Sequence, residues 1–281
     1  MTERRYRFGG IGVTLKAPAD IGEKLALAPF GVSDPAEDIL IDCNFSERFI
    51  TPETQPLLNE PYRTVWMEGD TEIGVLRYQK ANEPWPCCMW NRQKKKISML
   101  WRPEFRDKLS AWQIIEAVDL FHLLLMEGAV VLHGSYILYE GKGIVFSAPS
   151  GIGKSTQAAL WKQVCGAEIV NGDRCLLRMD ADGRPWVHGI CYSGTSHICK
   201  NMSAPLQALV LLGQAQENRI RIAKGLEAFC FLMPQCAYRI WDKWDVTNVT
   251  EILSNVLSTV PVFLLNCRPD KSAVETLEKM L

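Results

Sequence analysis

The sequence predicts a mixed α/β fold in which a β-rich N-terminal region, residues 1–108, precedes a second domain, residues 109–281. Two observations support this. The first region consists of short alternating strands separated by proline and turn residues. The second alternates apolar strands with stretches of helical period. We expect these strands to be mixed with one or two long helices instead of following a strict strand–helix–strand order.

The N-terminal region shows strand patterns in RYRFGGIGVTL, DILIDCNF, RTVWMEGDTEIGVLRY and KISMLW. The turn MEGD joins the two halves of the third pattern into a hairpin, and Lys94–Lys96 is expected to form a solvated turn. Large aromatic side chains usually fill a small β-core, although they can also line a peptide-binding face. Both readings apply to Trp66, Trp85, Trp90 and Trp101.

The second domain begins with a helical period. Ser110 is a plausible N-cap, and apolar residues follow at helical spacing up to Gly128. The apolar strand 129–132 would then deliver His133 to a site. Further expected elements are a helix at 157–164, a buried strand at 206–212, helices at 225–233 and 247–260, a strand at 262–265 and a closing helix at 270–281.

Residues 147–156 read SAPSGIGKST, between the strand-like IVFS and the helix-forming QAALW. A strand, a glycine-containing loop and a helix form the context in which backbone N–H groups and a helix N-terminus bind phosphate. Lys154 would contact the β- and γ-phosphates, and the Ser155 hydroxyl would complete the coordination of Mg²⁺. Ala148 stands where the usual pattern has its first glycine. The expected nucleotide-binding residues are Ser150, Gly151, Ile152, Gly153, Lys154, Ser155 and Thr156.

The longer stretch HGSYILYEGKGIVFSAPSGIGKST resembles, without a gap, the catalytic core of the HPr serine kinase/phosphorylase family, which is related by fold to phosphoenolpyruvate carboxykinase. The likeness continues to Asp173-Arg174. It implies an α/β (α+β) kinase domain that uses ATP and Mg²⁺ and phosphorylates a Ser or Thr hydroxyl of a protein or peptide. On this resemblance, the catalytic residues are His133, Lys154 and Asp173, and Ser155 and Asp173 hold the metal.

Two departures from that family affect the expected chemistry. Gly172 stands where the family has the first of two aspartates, the residue associated with proton transfer. The family's later glycine- and arginine-rich signature is replaced by WVHGICYSGTSHICKN. We therefore expect a divergent relative that phosphorylates but does not run the reverse, phosphorolytic reaction. Asn171 could replace an acidic ligand, and Lys200 could clamp a phosphate or merely flank its loop.

Three functions share this motif. The first is a protein or peptide kinase, which we favour. The second is a small-molecule kinase or a hydrolysing NTPase, which differs only in the acceptor. The third is a nucleotide-binding adaptor with weak or no transferase activity. The missing aspartate favours the adaptor, whereas the presence of His133, Asp173 and Arg174 together opposes it.

Composition limits the partners. The net charge is −1, with 47% hydrophobic and 22% charged residues, so no basic excess points to nucleic acid or to an anionic membrane surface. No apolar run reaches the roughly 18 residues that a membrane-spanning helix needs. The stretch MTERRYRF lacks the apolar core of a secretory signal, so a cytoplasmic protein is expected. The resemblance also implies a homo-oligomer, although no assembly surface can be recognised in the sequence.

The 10 cysteines contain no C-x-x-C pair, so a structural zinc site is not expected. In a reducing compartment most of them should be free, buried thiols. One cluster leaves two readings open, a metal site or a polar loop: it comprises His188, Cys191, His197 and Cys199.

Overall fold

A computed structural model describes residues 1–34, 38–80 and 83–281, and its secondary structure is mixed α/β as predicted. The chain divides into an N-terminal unit, Met1–Leu123, and a C-terminal unit, Leu124–Leu281. This division lies later than the domain boundary expected after residue 108. The first helix of the expected second domain belongs to the N-terminal unit because the backbone around it hydrogen-bonds there: Gly22 N donates to Leu109 O and Ala111 N donates to Gly22 O.

The N-terminal unit contains a sheet with the strand order β1-β2-β3-β8-β7-β6-β5-β4. The pairs β2–β3 and β3–β8 are parallel and the others are antiparallel. The predicted hairpin turn lies at Gly69, whose φ is 59°. The strands are β1 Thr2–Phe8, β2 Ile11–Ala17, β3 Ile39–Phe45, β4 Leu58–Asn59, β5 Arg63–Glu68, β6 Thr71–Lys80, β7 Glu83–Gln93 and β8 Lys96–Trp101.

Three of the four tryptophans in residues 1–108 are core residues. Trp66, Trp90 and Trp101 are buried, and Trp90 Nε1 donates a hydrogen bond to the buried Glu72 carboxylate at 3.2 Å. Trp85 is half-buried, and its ring stacks on Phe105 at 6.1 Å between centroids. Because three of these four rings are buried, the β-core interpretation is confirmed. Buried rings cannot line an exposed surface, so the four tryptophans do not together form a peptide-binding face.

Two short helices replace the single helix expected between Ser110 and Gly128. They are α1 Ala111–Ala117 and α2 Leu120–Met126, and short 3₁₀ helices lie at Ala28–Phe30 and Pro103–Phe105. Asp119, with φ of 60°, separates α1 from α2. A residue in the left-handed conformation interrupts an α-helix. The helical spacing of apolar residues continues past Asp119, so the sequence pattern does not show where the helix is interrupted.

The N-cap prediction at Ser110 is confirmed, and it gives a test of local stability. The Ser110 hydroxyl accepts from Gln113 N at 3.3 Å while the Gln113 side chain accepts from Ser110 N at 2.9 Å, which forms a capping box. Ser110→Ala is therefore expected to lower the free energy of unfolding by about 1 kcal/mol in urea titrations. Ser110→Thr retains the acceptor and should stay close to wild type. An unchanged midpoint in the alanine variant would contradict the cap's contribution.

The C-terminal unit contains the mixed sheet that positions the candidate site. Its strands are β9 Ala129–Tyr139, β10 Lys142–Ser147, β11 Glu168–Asn171, β12 Arg174–Met179, β13 Pro185–Gly189, β14 Ser203–Gln214, β15 Arg219–Ile222, β16 Cys236–Ala237 and β17 Val262–Cys267. Its helices are α3 Lys154–Cys165, α4 Gly225–Leu232, α5 Lys243–Thr259 and α6 Lys271–Glu278. The predicted helices and strands are present, with ends that differ by a few residues, and β12, β13, β15 and β16 are strands that the sequence did not indicate.

Strand β9 organises this sheet. Its first half pairs with β12 and β16, and its second half pairs with β10 and β11. The change of partners falls between His133 and Gly134, so His133 lies within a continuous strand and not at the end of a short one. Strand β14 is parallel to both β10 and β17, which brings the carboxyl ends of these three strands to one edge.

Two apolar layers cover the sheet. One includes Leu232 of α4 and Leu253 of α5, and the other includes Trp161 of α3 and Leu277 of α6. Both layers consist mainly of buried aliphatic and aromatic side chains, as expected for a sheet covered by helices. In the part of the chain that the structure describes, no helix has the length and apolar character needed to cross a membrane.

Candidate functional site

The glycine loop, residues 148–153, connects β10 to α3 as the sequence predicts. Gly151 and Gly153 have φ values of 82° and 122°, and an added Cβ on either would meet nothing within 4 Å. Glycine is therefore needed there for its backbone conformation and not for lack of space. Ala148 is buried in the layer beside α3 and does not adopt a positive φ, so this loop does not require a glycine at that corner.

Lys154 is the first residue of α3 and only 7% exposed. Its ammonium group donates to Ala148 O at 2.9 Å and to Pro149 O at 3.2 Å, which holds the charge against the glycine loop. Burial lowers the pKa of Lys154, and the nearby Asp173 carboxylate opposes that shift. Of the other predicted binding residues, the side chains of Ser150, Ser155 and Thr156 are exposed.

The turn between β11 and β12 is built around Asn171. Its side chain is fully buried: Oδ1 accepts from the backbone N–H groups of Asp173 and Arg174, both at 3.1 Å, and Nδ2 donates to Ile190 O. Since both ends of the amide are occupied, Asn171 shapes the turn and does not offer the metal or hydroxyl ligand considered from the sequence. Its effect is to present Asp173 at the strand end.

Asp173 lies between two basic side chains. His133 Nε2 is 3.4 Å from Asp173 Oδ1, and Arg174 Nε is 3.5 Å from Oδ2. The pKa of Asp173 is lowered, mainly by its hydrogen bond with His133 and further by the charges of His133, Arg174 and Lys154, against the opposite effect of burial. The carboxylate is therefore ionised at neutral pH. The other ring nitrogen of His133, Nδ1, lies 3.3 Å from Gln235 Oε1.

A hydrogen bond joins the two halves of the site. The Ser155 hydroxyl donates to Gly172 O at 3.4 Å, so the start of α3 lies against the turn that carries Asp173. Lys154, Ser155, Asp173 and His133 therefore lie near one another. A hydroxyl oxygen and a carboxylate are ligand types that suit Mg²⁺, and the positive-φ glycines with an adjoining lysine suit a phosphate. The residues at this site therefore suit both a Mg²⁺ ion and a phosphate group.

A short loop, residues 193–197, packs on this turn. A Cβ at Gly194 would lie 2.7 Å from Asp173 Cγ, and a Cβ at Gly172 would lie 2.1 Å from Ser196 Oγ. Ser196 is held in place because its hydroxyl donates to Ser193 O at 2.6 Å and accepts from Ile198 N at 3.2 Å. The 193–197 loop therefore fills the space that a side chain at position 172 would need.

Comparison with known proteins identifies the family. A family model described as "SynChlorMet cassette protein ScmC" matches residues 103–281. The chain belongs to the ScmC family. It is also similar to the solved Hpr(Ser) kinase/phosphatase from Coxiella burnetii, with 14% identity, a TM-score of 0.32, and coverage of 53% of this chain and 94% of that chain. No curated protein matches it. For this ScmC-family chain, the site assignment rests on the geometry described above.

Two candidates from the sequence lie apart from the site of this ScmC-family chain. Lys200 Nζ pairs with Glu168 Oε1 at 2.7 Å on the surface, and Glu168 begins β11 whereas Asp173 follows its end. The Lys200 ammonium therefore lies at the end of β11 that is farther from Asp173, and Lys200 does not serve as a phosphate clamp in this structure. His188 Nδ1 instead contacts Ser203 Oγ at 2.7 Å.

Most of the cysteines are small buried side chains. All 10 are free, and Cys43, Cys87, Cys88, Cys175, Cys191, Cys236 and Cys267 are buried. Within the described residues, His188, Cys191, His197 and Cys199 do not gather ligand atoms around a common ion position. The polar-loop interpretation of this cluster is the one that the geometry supports.

Gln235 is the contact residue that the sequence did not indicate. It ends the 3₁₀ helix Met233–Gln235, and the strand β16 that follows pairs Cys236 with Leu132. This register sets Gln235 beside His133 from a point 102 residues further along the chain. No motif surrounds Gln235, so only the strand pairing reveals it.

Proposed function

We propose that this protein binds ATP with Mg²⁺ and transfers the γ-phosphoryl group to a Ser or Thr hydroxyl of a protein or peptide. The observation that carries this proposal is the meeting of Lys154, Ser155 and Asp173 at one edge of the C-terminal sheet. The contact between Ser155 and Gly172, at 3.4 Å, joins the loop that would hold phosphate to the strand end that would hold the metal.

Each residue has a role that follows from its position. The N–H groups of the glycine loop and the ammonium of Lys154 bind the phosphate oxygens, since developing negative charge needs fixed positive partners. Ser155 and Asp173 would hold the metal ion, which when bound would neutralise negative charge on the phosphates of ATP. His133 and Arg174 orient the Asp173 carboxylate through their contacts at 3.4 and 3.5 Å. The imidazole of His133, which lies beside Asp173, could also take the proton of the acceptor hydroxyl.

The acceptor is proposed from the family. Its members are described as cassette proteins, so other proteins of that cassette are the first acceptors to test. We place the reaction in the cytoplasm, where ATP is abundant. A small-molecule acceptor or water would use the same Lys154, Ser155 and Asp173 and would change only the second substrate.

A second function, nucleotide binding without transfer, is favoured by one specific observation. Position 172 carries no carboxylate, and the 193–197 loop packs against both Gly172 and Asp173. An acceptor hydroxyl would need this loop to leave room beside Asp173. Incubation with labelled ATP, Mg²⁺ and the cassette proteins separates the two functions. Label on a Ser or Thr supports the kinase, and tight ATP binding without transfer or hydrolysis supports the adaptor.

Lys154→Ala tests nucleotide binding directly. We expect calorimetry with ATP and Mg²⁺ to show affinity weakened by about tenfold or more, because a hydrogen bond to a charged group contributes about 1.5–3 kcal/mol. Lys162→Ala, an exposed lysine on the same helix, is the matched control and should bind as wild type does. Equal affinity in the Lys154 and Lys162 variants would contradict the proposed phosphate site.

A further inference from the structure

The 193–197 loop lies where an acceptor hydroxyl would approach the candidate site. Gly194, whose φ is 54°, brings the backbone so close to Asp173 that an added Cβ would lie 3.0 Å from Asp173 Oδ1. Ser196 packs on Gly172 in the same way. A reacting hydroxyl has to come within about 3–3.5 Å of the atom that it attacks. An acceptor on another molecule would therefore compete with this loop for the space beside Asp173.

Both ends of the 193–197 loop are fixed to the end of β11 and the turn that follows it. Before the loop, Ile190 O accepts a hydrogen bond from the Asn171 side chain at 2.5 Å. After the loop, Ile198 O accepts from Gly172 N at 3.2 Å. These contacts hold the loop beside the site of its own chain. A reactant held in this way acts at a far higher effective concentration than one that has to diffuse to the site.

Three of the five loop residues carry a hydroxyl group, and two of those hydroxyls are already engaged. The Ser196 hydroxyl donates to Ser193 O at 2.6 Å and accepts from Ile198 N at 3.2 Å. The Ser193 side chain hydrogen-bonds with the Cys199 thiol. Either serine would have to give up a contact that shapes the loop before it could react.

Thr195 carries the third hydroxyl, and its side chain is exposed. It lies in the 3₁₀ turn Gly194–Ser196, between the two residues that pack on Asp173 and Gly172. Adjacent Cα atoms are only about 3.8 Å apart, so Thr195 lies close to both contacts. Gly194 tolerates a wide range of backbone angles, which allows the turn to present Thr195 to the site with a small change of conformation.

We infer that the chain phosphorylates itself on Thr195 in an intramolecular reaction. The inference rests on the proposed function, because the phosphoryl donor is the ATP that Lys154, Ser155 and Asp173 would hold. Thr195 Oγ1 forms a bond to the γ-phosphorus, and the bond from that phosphorus to the β,γ-bridging oxygen breaks. ADP leaves with the electron pair of the broken bond, and the hydroxyl proton passes to the His133 imidazole. The products are ADP and a phosphothreonine at position 195.

The first test incubates the purified chain with γ-labelled ATP and Mg²⁺ and no other protein. We expect label to accumulate toward one phosphate per chain, and mass spectrometry to place it on Thr195. Thr195→Val removes the hydroxyl with little change of shape and should abolish labelling, whereas Thr195→Ser keeps a hydroxyl and should be labelled at the same position. Thr247→Val, at an exposed threonine of α5, is the matched control and should be labelled as wild type is. Label on a different residue, or undiminished labelling of Thr195→Val, would overturn the inference.

The second test separates transfer within a chain from transfer between chains. Asp173→Asn supplies a chain that keeps Thr195 but transfers poorly, and Thr195→Val supplies an active chain without the acceptor. Because the loop is fixed beside its own site, we expect a mixture of the two variants to stay unlabelled. The labelling rate per wild-type chain should also be independent of protein concentration. Label on the Asp173→Asn chain of the mixture would demonstrate transfer between chains and would overturn the intramolecular reaction.

Failure of this inference is distinguishable from failure of the proposed function. If the wild-type chain labels a cassette protein but never Thr195, the inference is wrong and the kinase assignment stands. Release of ADP with no label on any protein would make water the acceptor, which also overturns the inference. If calorimetry detects no binding of ATP with Mg²⁺, both the proposed function and the inference fail.

Discussion

Replacing Asp173 with asparagine is expected to reduce phosphoryl transfer by about 10²-fold or more while ATP affinity changes far less. Asparagine keeps the shape of the side chain but removes the negative charge that faces His133, Arg174 and Lys154. A neutral amide also holds Mg²⁺ less well than a carboxylate does. The measurement compares the rate of label transfer from ATP to the acceptor with nucleotide affinity from calorimetry.

The control is Asp182→Asn, which removes an exposed carboxylate from the turn between β12 and β13 of the same unit. This variant should transfer phosphate and bind ATP at wild-type levels. Wild-type transfer by Asp173→Asn would contradict the site, since Asp173 is the carboxylate that contacts both His133 and Arg174. Parallel loss of transfer and of ATP binding would instead mean that Asp173 acts mainly in nucleotide binding.

In the proposed reaction, the lowered pKa of Asp173 suits a metal ligand better than a general base. Its pKa is lowered, chiefly by the hydrogen bond with His133, and a carboxylate with a lowered pKa accepts a proton poorly. Phosphoryl transfer has a loose transition state in which positioning and positive charge matter more than a strong base. A site with Lys154, Ser155 and one carboxylate therefore retains the larger contributions even without an acidic residue at position 172.

The parts of the site that could be predicted from sequence are those encoded within short segments. The glycine loop is flanked by its own strand and helix, and Asp173 and Arg174 follow the end of β11 directly. Ser110 and Gln113 likewise form their capping box within one turn. In each case the residues that determine the geometry are neighbours in the chain, so residue type and spacing carry enough information.

The parts that could not be predicted depend on pairings between distant segments. Gln235 reaches His133 only through the register of β16 on β9. The 193–197 loop lies against Gly172 because Gly172 N donates a backbone hydrogen bond, at 3.2 Å, to the oxygen of Ile198, the residue that follows the loop. A cavity beside Gln157 likewise combines the ends of β14 and β17 with the start of α3. Sequence spacing does not encode such contacts, because each depends on how the whole sheet is assembled.

Introducing an aspartate at position 172 is expected to destabilise the C-terminal unit instead of simply restoring the missing acid. Its Cβ would lie 2.1 Å from Ser196 Oγ and 2.5 Å from Ser196 Cβ, closer than packed atoms approach. Overpacking of this kind costs about 1–3 kcal/mol, and a buried second carboxylate beside Asp173 adds like-charge repulsion. Urea titration of Gly172→Asp should show the loss, and Gly172→Ala should show the steric part alone. A wild-type midpoint in both variants would contradict the packing of the 193–197 loop on Gly172.

The same contact determines how the reverse reaction has to be tested. Phosphorolysis needs inorganic phosphate to lose a proton while it attacks a phosphoserine, and Gly172 has no side chain to accept that proton. We therefore expect no release of pyrophosphate when the wild-type chain is given a phosphorylated acceptor and inorganic phosphate. The informative variant is Gly172→Asp combined with Ser196→Gly, because glycine at 196 removes both atoms that the new Cβ would meet. If the double variant folds and releases pyrophosphate while the wild type does not, the missing carboxylate sets the direction of the reaction. Release by the wild type would instead assign the base to His133, whose imidazole lies beside Asp173.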